Sequence, residues 1–212
     1  MQVIEIFNEY ASDYETWFER HPKVFESEVL ALREHMEKLP AETHGIEVGL
    51  GTGRFAIELG IKEGVEPAAA MRSIASNKGL EVMDATAERL PYRDMHFDFV
   101  MMITLICYLN KPLRALKESY RVLKPGGKLI LGFIDKDSTL AKEYEDSRSK
   151  STFYKQANFH TVDKVKTWLK EARFKSPYFT QTLYGNLAEI DFIQAVKEGH
   201  GEGSFVVVSA LK

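Results

Sequence analysis

The stretch GIEVGLGTGRF, residues 45–55, places glycines at three alternate positions, Gly49, Gly51 and Gly53, directly after a short apolar run. Because glycine has no Cβ, it can adopt a positive φ and lets a bound molecule approach the backbone closely. A tight turn that follows a strand and binds nothing would explain the same residues. The rest of the chain has to decide between these two interpretations.

The spacing of the glycines bears on the kind of ligand. A dinucleotide-binding loop reads G-x-G-x-x-G, and a P-loop ends in Lys followed by Ser or Thr. This loop reads G-x-G-x-G after Glu47, and neither Lys-Ser nor Lys-Thr follows the glycines. Nicotinamide dinucleotides and nucleoside triphosphates are therefore disfavoured as ligands.

The composition is that of a globular protein. The chain has 212 residues, of which 44% are apolar and 28% charged, so it is long enough to bury a core. Its net charge of −3 gives no electrostatic reason to expect a nucleic acid as partner. No segment has the length of a membrane span or the layout of a secretion signal, and we expect a cytoplasmic protein.

Short apolar runs alternate with helical segments from residue 45 onward, which favours a parallel sheet covered on both faces. The last strand follows its predecessor without a βαβ spacing, and we expect it to be antiparallel. The sequence therefore predicts an α/β fold with a doubly wound, mostly parallel seven-stranded sheet and an antiparallel closing strand. The predicted strands are residues 45–49, 61–66, 80–83, 97–103, 127–134, 176–184 and 204–211.

Helices are predicted between these strands and ahead of them. Residues 22–39 carry apolar side chains at steps of three and four residues, which form one stripe on a helix. The segment before it concentrates four aromatic residues that suit either the core or the wall of a pocket: Tyr10, Tyr14, Trp17 and Phe18. The other predicted helices are residues 68–77, 111–122, 161–173 and 187–197.

We expect a single domain, residues 1–212, with four parts. Its length suits one domain better than two. The parts are a helical N-terminal lid or cap (1–40), a ligand-binding core (45–135), a charged insertion (135–160) and the C-terminal part of the sheet (161–212).

In an open parallel sheet the ligand binds at the carboxyl ends of the strands, so the residues there are candidates for a site. Glu66, followed by Pro67, ends the second predicted strand, where a carboxylate could accept hydrogen bonds from two ribose hydroxyl groups. An acid that merely precedes a helix would look the same. After the third strand, the small residues around Thr86 and Ala87 leave backbone groups free to contact the edge of a flat heterocycle.

The later strand ends carry weaker signals. Ile103 and Thr104, at the end of the fourth strand, offer backbone carbonyl groups to an ammonium group, although core packing explains most of that run. The Pro-Gly-Gly of residues 125–127 is a helix stop and turn that needs no ligand.

Taken together, these segments resemble a known family. EVGLGTG, the acid after the second strand, DATAERLPY, FDFV and RVLKPGG occur in the order and spacing of the class I S-adenosylmethionine-dependent methyltransferases, and they are most similar to the branch of the ubiquinone and menaquinone biosynthesis enzymes. The resemblance covers mainly residues 45–135. It implies a Rossmann-like fold, S-adenosyl-L-methionine as cofactor and a methyl acceptor as substrate.

The resemblance also implies a role for the candidate residues. Glu47 and the backbone of the glycine loop, at Gly49, Gly51 and Gly53, would hold the methionine part of the cofactor. Glu66 would hold the ribose, with the next residue, a proline, against the adenine.

At the adenine edge the sequence departs from the family. The Asp-Ala pair of the family aligns with Thr86-Ala87, and Asp84 lies two residues early. Either the Thr86 hydroxyl replaces the carboxylate or Asp84 reaches across, and we favour Thr86 with the Ala87 N–H. A second departure is the segment of twelve residues between Gly53 and Glu66, which leaves room for a helix of little more than a turn and a half.

No catalytic residue is predicted. Methyl transfer requires alignment and exclusion of water more than a base, and a lone His or Tyr is more often structural than catalytic. The N-terminal segment often serves as a lid in this family, so we expect Tyr10 and Tyr14 to face the acceptor.

Neither a disulfide nor a metal site is predicted. The single cysteine, Cys107, lies in an apolar run that is typical of a buried, inert thiol. Four histidines have no metal-ligand spacing with any Asp, Glu or Cys: His35, His44, His96 and His200.

The leading hypothesis is a methyltransferase that acts on a small molecule. A methyltransferase that acts on RNA or protein would carry a basic face or an added binding module. A nicotinamide oxidoreductase is disfavoured by the glycine spacing, and a non-catalytic protein that binds S-adenosylmethionine would carry the same motifs.

Overall fold

One mixed sheet organises the protein. The computed structural model describes residues 2–40 and 42–212, and within them eight strands form this sheet. The strands are β1 (Gly45–Val48), β2 (Glu63–Val65), β3 (Glu81–Met83), β4 (Phe97–Ile103), β5 (Leu123–Ile134), β6 (Lys175–Thr182), β7 (Lys197–Glu198) and β8 (Phe205–Leu211). Their order is β3-β2-β1-β4-β5-β8-β6-β7.

The pairing confirms the predicted mixture of directions. β3, β2, β1, β4 and β5 are parallel neighbours, whereas β8 pairs antiparallel with β5, from Lys128 opposite Leu211 to Ile134 opposite Phe205. The seven predicted strands are all present, and the sheet gains an eighth because two residues of β7 pair with β6. The architecture is a Rossmann-like α/β fold.

Helices cover both faces of the sheet, which explains why β1 and most of β4 and β8 are buried. The helices are α1 (Gln2–Glu9), α2 (Ala11–Arg20), α3 (Pro22–Met36), α4 (Arg54–Leu59), α5 (Ala69–Asn77), α6 (Pro112–Val122), α7 (Thr139–Asp146) and α8 (Val162–Glu171). Within the described ranges, no helix combines the length and the apolar character that crossing a bilayer requires.

The prediction of a helix over 187–197 is wrong. A single 3-10 turn, Leu187–Glu189, is followed by irregular chain. The Gln194 side chain exchanges two hydrogen bonds with the backbone of Tyr184, and its own N–H donates to Ser27 Oγ at 2.9 Å. These tertiary hydrogen bonds hold the segment extended along the protein and outweigh its local helical pattern.

Helix α2 is fastened to the glycine loop. The Glu15 carboxylate of α2 accepts hydrogen bonds from Thr52 Oγ1, from Arg54 Nε at 3.1 Å and from Lys78 Nζ at 2.9 Å. These donors lower the pKa of Glu15 against the opposing effect of partial burial. The N-terminal helices are therefore held over the carboxyl end of β1.

The helix after the glycine loop is short, as the spacing predicted. α4 has six residues and lies between two glycines in the left-handed region, Gly53 with φ 81° and Gly60 with φ 73°. A Cβ on Gly53 would collide with Leu80 Cδ1, whereas a Cβ on Gly60 would meet nothing within 4 Å. The two positions share the same backbone requirement and differ in packing.

These two glycines provide a matched test of the packing beneath the loop. Gly60→Ala should lower the free energy of unfolding by about 1 kcal/mol, the cost of a left-handed L-residue. Gly53→Ala should cost about 1 kcal/mol more, because the added methyl also overpacks the Leu80 contact. Urea denaturation of both variants measures the difference, and equal losses would contradict the packing role of Gly53.

Candidate functional site

A cavity of about 480 Å³ lies where the parallel strands end. One side is formed by the glycine loop and by the residues that follow β2, β3 and β4. The other side is formed by α1, α2, α3 and the segment 153–156 of the insertion. The site therefore has a half made by the sheet and a half made by the helices and the insertion.

The structure brings most of the predicted site residues to this cavity. Nine of them line it: Tyr14, Gly49, Gly51, Glu66, Pro67, Thr86, Ala87, Ile103 and Thr104. Gly53, the last glycine of the loop, and Glu47, which is buried in β1, are not among the lining residues. Tyr10 precedes α2 next to Glu9, outside the cavity, so the structure does not place it with Tyr14.

Glu66 connects the glycine loop to the start of α5. Its Oε2 accepts the Gly51 N–H at 3.0 Å and its Oε1 accepts the Ala68 N–H at 2.8 Å. Burial raises the pKa of Glu66, and the two backbone donors partly oppose that rise. The carboxylate is thereby fixed in direction at the cavity wall.

The two loop glycines at the cavity have different surroundings. Gly51 has a φ of 59°, and a Cβ there would meet only the Tyr14 ring, at 3.7 Å. A Cβ on Gly49 would lie 2.7 Å from Leu105 Cδ1, so this glycine is also required by packing. The loop backbone at Gly51 is therefore the part that is open to a ligand.

Glu47 is a buried carboxyl under the loop. It is 2% exposed, and its Oε2 has no hydrogen-bond partner in the described part of the chain. Burial is the main cause that raises its pKa well above the ordinary value, and the nearby Glu66 charge adds to it. The side chain supports the loop from below.

The geometry distinguishes Thr86 from Asp84. The Asp84 carboxylate forms an ion pair with Arg72 at 3.0 Å, and its side chain is 68% exposed. Arg72 also donates to the carbonyl oxygens of Glu66 and Pro67. It therefore links Asp84 to the backbone that follows β2. Thr86 lies at the cavity and Asp84 does not.

Thr104 forms a strained corner of the wall. Its φ of 48° is uncommon for a β-branched residue and is typical of functional sites. Its N–H donates to the Gly132 carbonyl at 2.8 Å, and its carbonyl accepts the Cys107 Sγ at 3.2 Å. Burial raises the pKa of Cys107 to about 12, which agrees with the predicted inert thiol.

The helical half of the cavity is aromatic. Phe7 of α1 stacks on Phe153 at 5.5 Å and meets Tyr108 edge-on at 5.2 Å, while Tyr14 meets Phe153 at 5.8 Å. Two further tyrosines, Tyr144 and Tyr154, complete this wall. Sequence reasoning missed most of these residues because they come from separate segments.

Glu28 is a further residue that sequence reasoning missed. It lines the cavity on α3, is 4% exposed, and burial raises its pKa to about 8. A signal was present, because Glu28 falls three residues after Phe25 and four before Leu32, inside the apolar stripe of its helix.

The charged residue types that line the cavity are all acidic. Its lining, within the described residues, contains the three carboxyl groups of Glu28, Glu66 and Glu88 and no Lys, Arg or His. The described ranges also hold no cluster of three His, Cys, Asp or Glu side chains able to bind a metal ion. Such a site suits a ligand with positive charge.

Comparison with known proteins identifies the family. Residues 46–131 match the family model of a methyltransferase domain. A crystal structure from Thermotoga maritima, described as a SAM-dependent methyltransferase and possible histamine N-methyltransferase, is 44% identical, covers 99% of each chain and has a TM-score of 0.93. An uncharacterized protein of Methanocaldococcus jannaschii is 42% identical over 209 residues, 99% of this chain and 100% of its own.

A more distant relative matches only in part. The probable tRNA methyltransferase 9B of Mus musculus is 34% identical over 90 residues, which is 40% of this chain and 20% of that protein.

The chain belongs to the S-adenosylmethionine-dependent methyltransferases, and its cofactor is S-adenosyl-L-methionine. The narrower likeness to the quinone biosynthesis branch stays a prediction.

The residues present fit this cofactor. S-adenosylmethionine carries positive charge on its sulfonium and ammonium groups. The described lining of the cavity has acidic side chains and no basic ones. The Glu66 carboxylate still has lone pairs for hydroxyl donors after accepting two N–H groups. Small residues at Thr86 and Ala87 leave room for a flat heterocycle.

The raised pKa of Glu28 predicts a specific pH dependence of stability. The folded state keeps the proton up to pH about 8, whereas the unfolded state loses it near 4.5. Between these values the folded state binds more protons, so this group lowers stability as pH rises, by up to about 1.4 kcal/mol per pH unit. Above the window the loss is complete.

Glu28→Gln removes that titration. We expect the variant to gain stability relative to the parent protein between pH 5 and 8, as measured by urea denaturation at several pH values. Glu26→Gln, on the same helix but in an exposed pair with Lys23, is the control and should show no such trend. A pH-independent difference for Glu28→Gln would refute the burial of a titrating carboxyl.

Proposed function

We propose that the protein transfers the methyl group of S-adenosylmethionine to a small molecule bound in the aromatic half of the cavity. The observation that carries the proposal is the division of one cavity into a sheet half, with Glu66 and the glycine loop, and a half walled by aromatic side chains. The cofactor supplies an electrophilic methyl group. The chain contributes binding, alignment and exclusion of water.

The sheet half would hold the cofactor. The Glu66 carboxylate would accept the ribose hydroxyl groups, and the open backbone at Gly51 would lie along the methionine part. Pro67 would contact the adenine face, with Thr86 and Ala87 at its edge. Support comes from the direction of Glu66, which its two backbone donors fix toward the glycine loop.

The helical half would hold the acceptor. Tyr14 reaches the cavity from α2, next to Gly51, and so lies where the two halves meet. The stack of Phe7 on Phe153 joins α1 to the insertion and closes one side of the space. Tyr10 lies outside this space and is left out of the proposed acceptor site.

RNA is the second candidate acceptor. In its favour are the partial match to a protein named for tRNA methylation and a surface cleft lined by Lys111, Arg114, Lys117 and Trp168 together with Pro112 and Leu113. Against it is the cavity itself, whose carboxyl groups would repel phosphates. We therefore favour a small-molecule acceptor over RNA.

We also propose a cytoplasmic location, since a lone buried thiol suits a reducing compartment.

The cofactor assignment can be tested by thermal and chemical denaturation with added ligand. At about 100 times the dissociation constant, S-adenosylmethionine or S-adenosylhomocysteine should add about 2.7 kcal/mol to the free energy of unfolding, and NAD should add nothing. Glu66→Ala should abolish most of this gain. Asp84→Asn, the matched change outside the cavity, should keep it, and a loss in Asp84→Asn would reverse the choice of Thr86.

The acceptor class can be tested with a methyl-labelled cofactor. We expect label to enter the low-molecular-weight fraction of a cell extract and not total tRNA, because the carboxyl-lined cavity repels phosphate. The measurement is separation of the labelled products by size. Label in tRNA that disappears in Arg114→Gln would favour the basic cleft and the RNA acceptor instead.

A further inference from the structure

Among the described residues, the Glu28 side chain has no hydrogen-bond or ion-pair partner. No basic side chain pairs with it among the described residues, and burial is the single cause that shifts its pKa. Two other partly or fully buried acids differ in this respect, since Glu66 accepts two backbone N–H groups and Glu15 has three donors. A buried acid without a partner is costly to the fold.

The place of Glu28 shows where a partner could come from. Glu28 lines the cavity from α3, in the half made by the helices, whereas Glu66 belongs to the half made by the sheet. With 96% of the residue shielded from solvent (4% exposed), the cavity is the space that remains open to it. A bound acceptor could therefore supply the missing donor.

Aromatic rings surround that position. Tyr14, Tyr144 and Tyr154 line the same cavity as Glu28. Burial is the main cause that raises the pKa of these three phenols, and the charge of Glu28 adds to each rise, so they stay neutral at ordinary pH. Tyr144 and Tyr154 stack with their ring centres 4.0 Å apart.

A carboxylate beside aromatic faces is a good site for an organic cation. The carboxylate pairs with the charge, and the faces of the rings attract it through their quadrupoles. The described lining has no cationic side chain that would compete for Glu28. The chemistry that fits is a protonated amine carried by a small aromatic or aliphatic molecule.

We propose that Glu28 binds the ammonium group of a small amine acceptor and takes its proton, so that the atom methylated is nitrogen. This proposal rests on the proposed function, and it adds the acceptor class and the residue that selects it. Glu28 is then the group that distinguishes an amine from a neutral alcohol of the same shape.

The step balances as follows. The ammonium gives one proton to the Glu28 carboxylate, which leaves a lone pair on the amine nitrogen. That lone pair forms the new N–C bond with the methyl group, and the electrons of the broken C–S bond stay on sulfur. The product leaves as the methylated ammonium, and the proton held by Glu28 goes to solvent when the next ammonium pairs with the carboxylate.

The proposal predicts proton release on binding. At pH 7 the free Glu28 is mostly protonated, because burial raises its pKa to about 8. Pairing with an ammonium requires the ionised carboxylate, so close to one proton leaves when the amine binds. The groups that face Glu28, Tyr14 from α2, Tyr144 from α7 and Tyr154 from the insertion, do not titrate near this pH.

The experiment is calorimetry on protein saturated with S-adenosylhomocysteine. The probes are 2-phenylethylamine, tyramine and histamine, with 2-phenylethanol as the neutral match, each titrated at pH 7 in two buffers of different ionisation enthalpy. We expect at least one amine to bind tenfold or more tightly than 2-phenylethanol and to release close to one proton.

The variants assign that effect to Glu28. Glu28→Gln should lose the preference for the amine and the proton release, Glu28→Asp should keep part of both, and Glu26→Gln should behave as the parent protein. Unchanged S-adenosylhomocysteine affinity in Glu28→Gln shows that the fold and cofactor site are intact. Amine preference that survives in Glu28→Gln, or no amine preference in the parent protein, overturns the proposal.

Failure of the proposed function gives a different result. If S-adenosylhomocysteine does not bind the parent protein, the cofactor assignment fails, and the amine proposal, which rests on it, is overturned with it. If S-adenosylhomocysteine binds and 2-phenylethanol binds as tightly as the amines do, the result is consistent with methyl transfer to a neutral acceptor. The amine proposal is then overturned.

Discussion

The carboxylate of Glu66 accepts N–H groups from two separate segments, from Gly51 in the glycine loop and from Ala68 just before α5. These bonds fix three things at once: the loop conformation, the end of β2 and the direction of the carboxylate. Because burial raises the pKa of Glu66, the two donors also stabilise its charged form. The cofactor half of the cavity depends on this one interaction.

The N-terminal helices complete the cavity from the other side. Their position depends on Glu15, which accepts hydrogen bonds from Thr52, Arg54 and Lys78 and so fastens α2 to the same glycine loop. The aromatic wall then follows from where α1, α2 and the insertion meet. In this arrangement the acceptor space is defined by the same loop that defines the cofactor space.

Charge gives the cavity its character. A lining with three carboxyl groups and no basic side chain within the described residues is suited to cations, and the sulfonium and ammonium groups of S-adenosylmethionine are cations. Glu28 places a further carboxyl group in the aromatic half, where burial is the cause that raises its pKa. The proposals for a small-molecule acceptor and for an amine both follow from that distribution.

The sequence by itself determined the order of strands and helices, the shortness of α4 and the cluster of residues at the strand ends, because these depend on local patterns and on the carboxyl ends of parallel strands meeting at one edge. Only the tertiary structure decided the rest. It replaced the expected helix over 187–197, since hydrogen bonds from Gln194 to distant partners outweigh local periodicity. It placed Thr86, Tyr14 and Glu28 at the cavity and left Asp84 and Tyr10 off its lining, because a side chain's direction depends on packing between segments far apart in the chain.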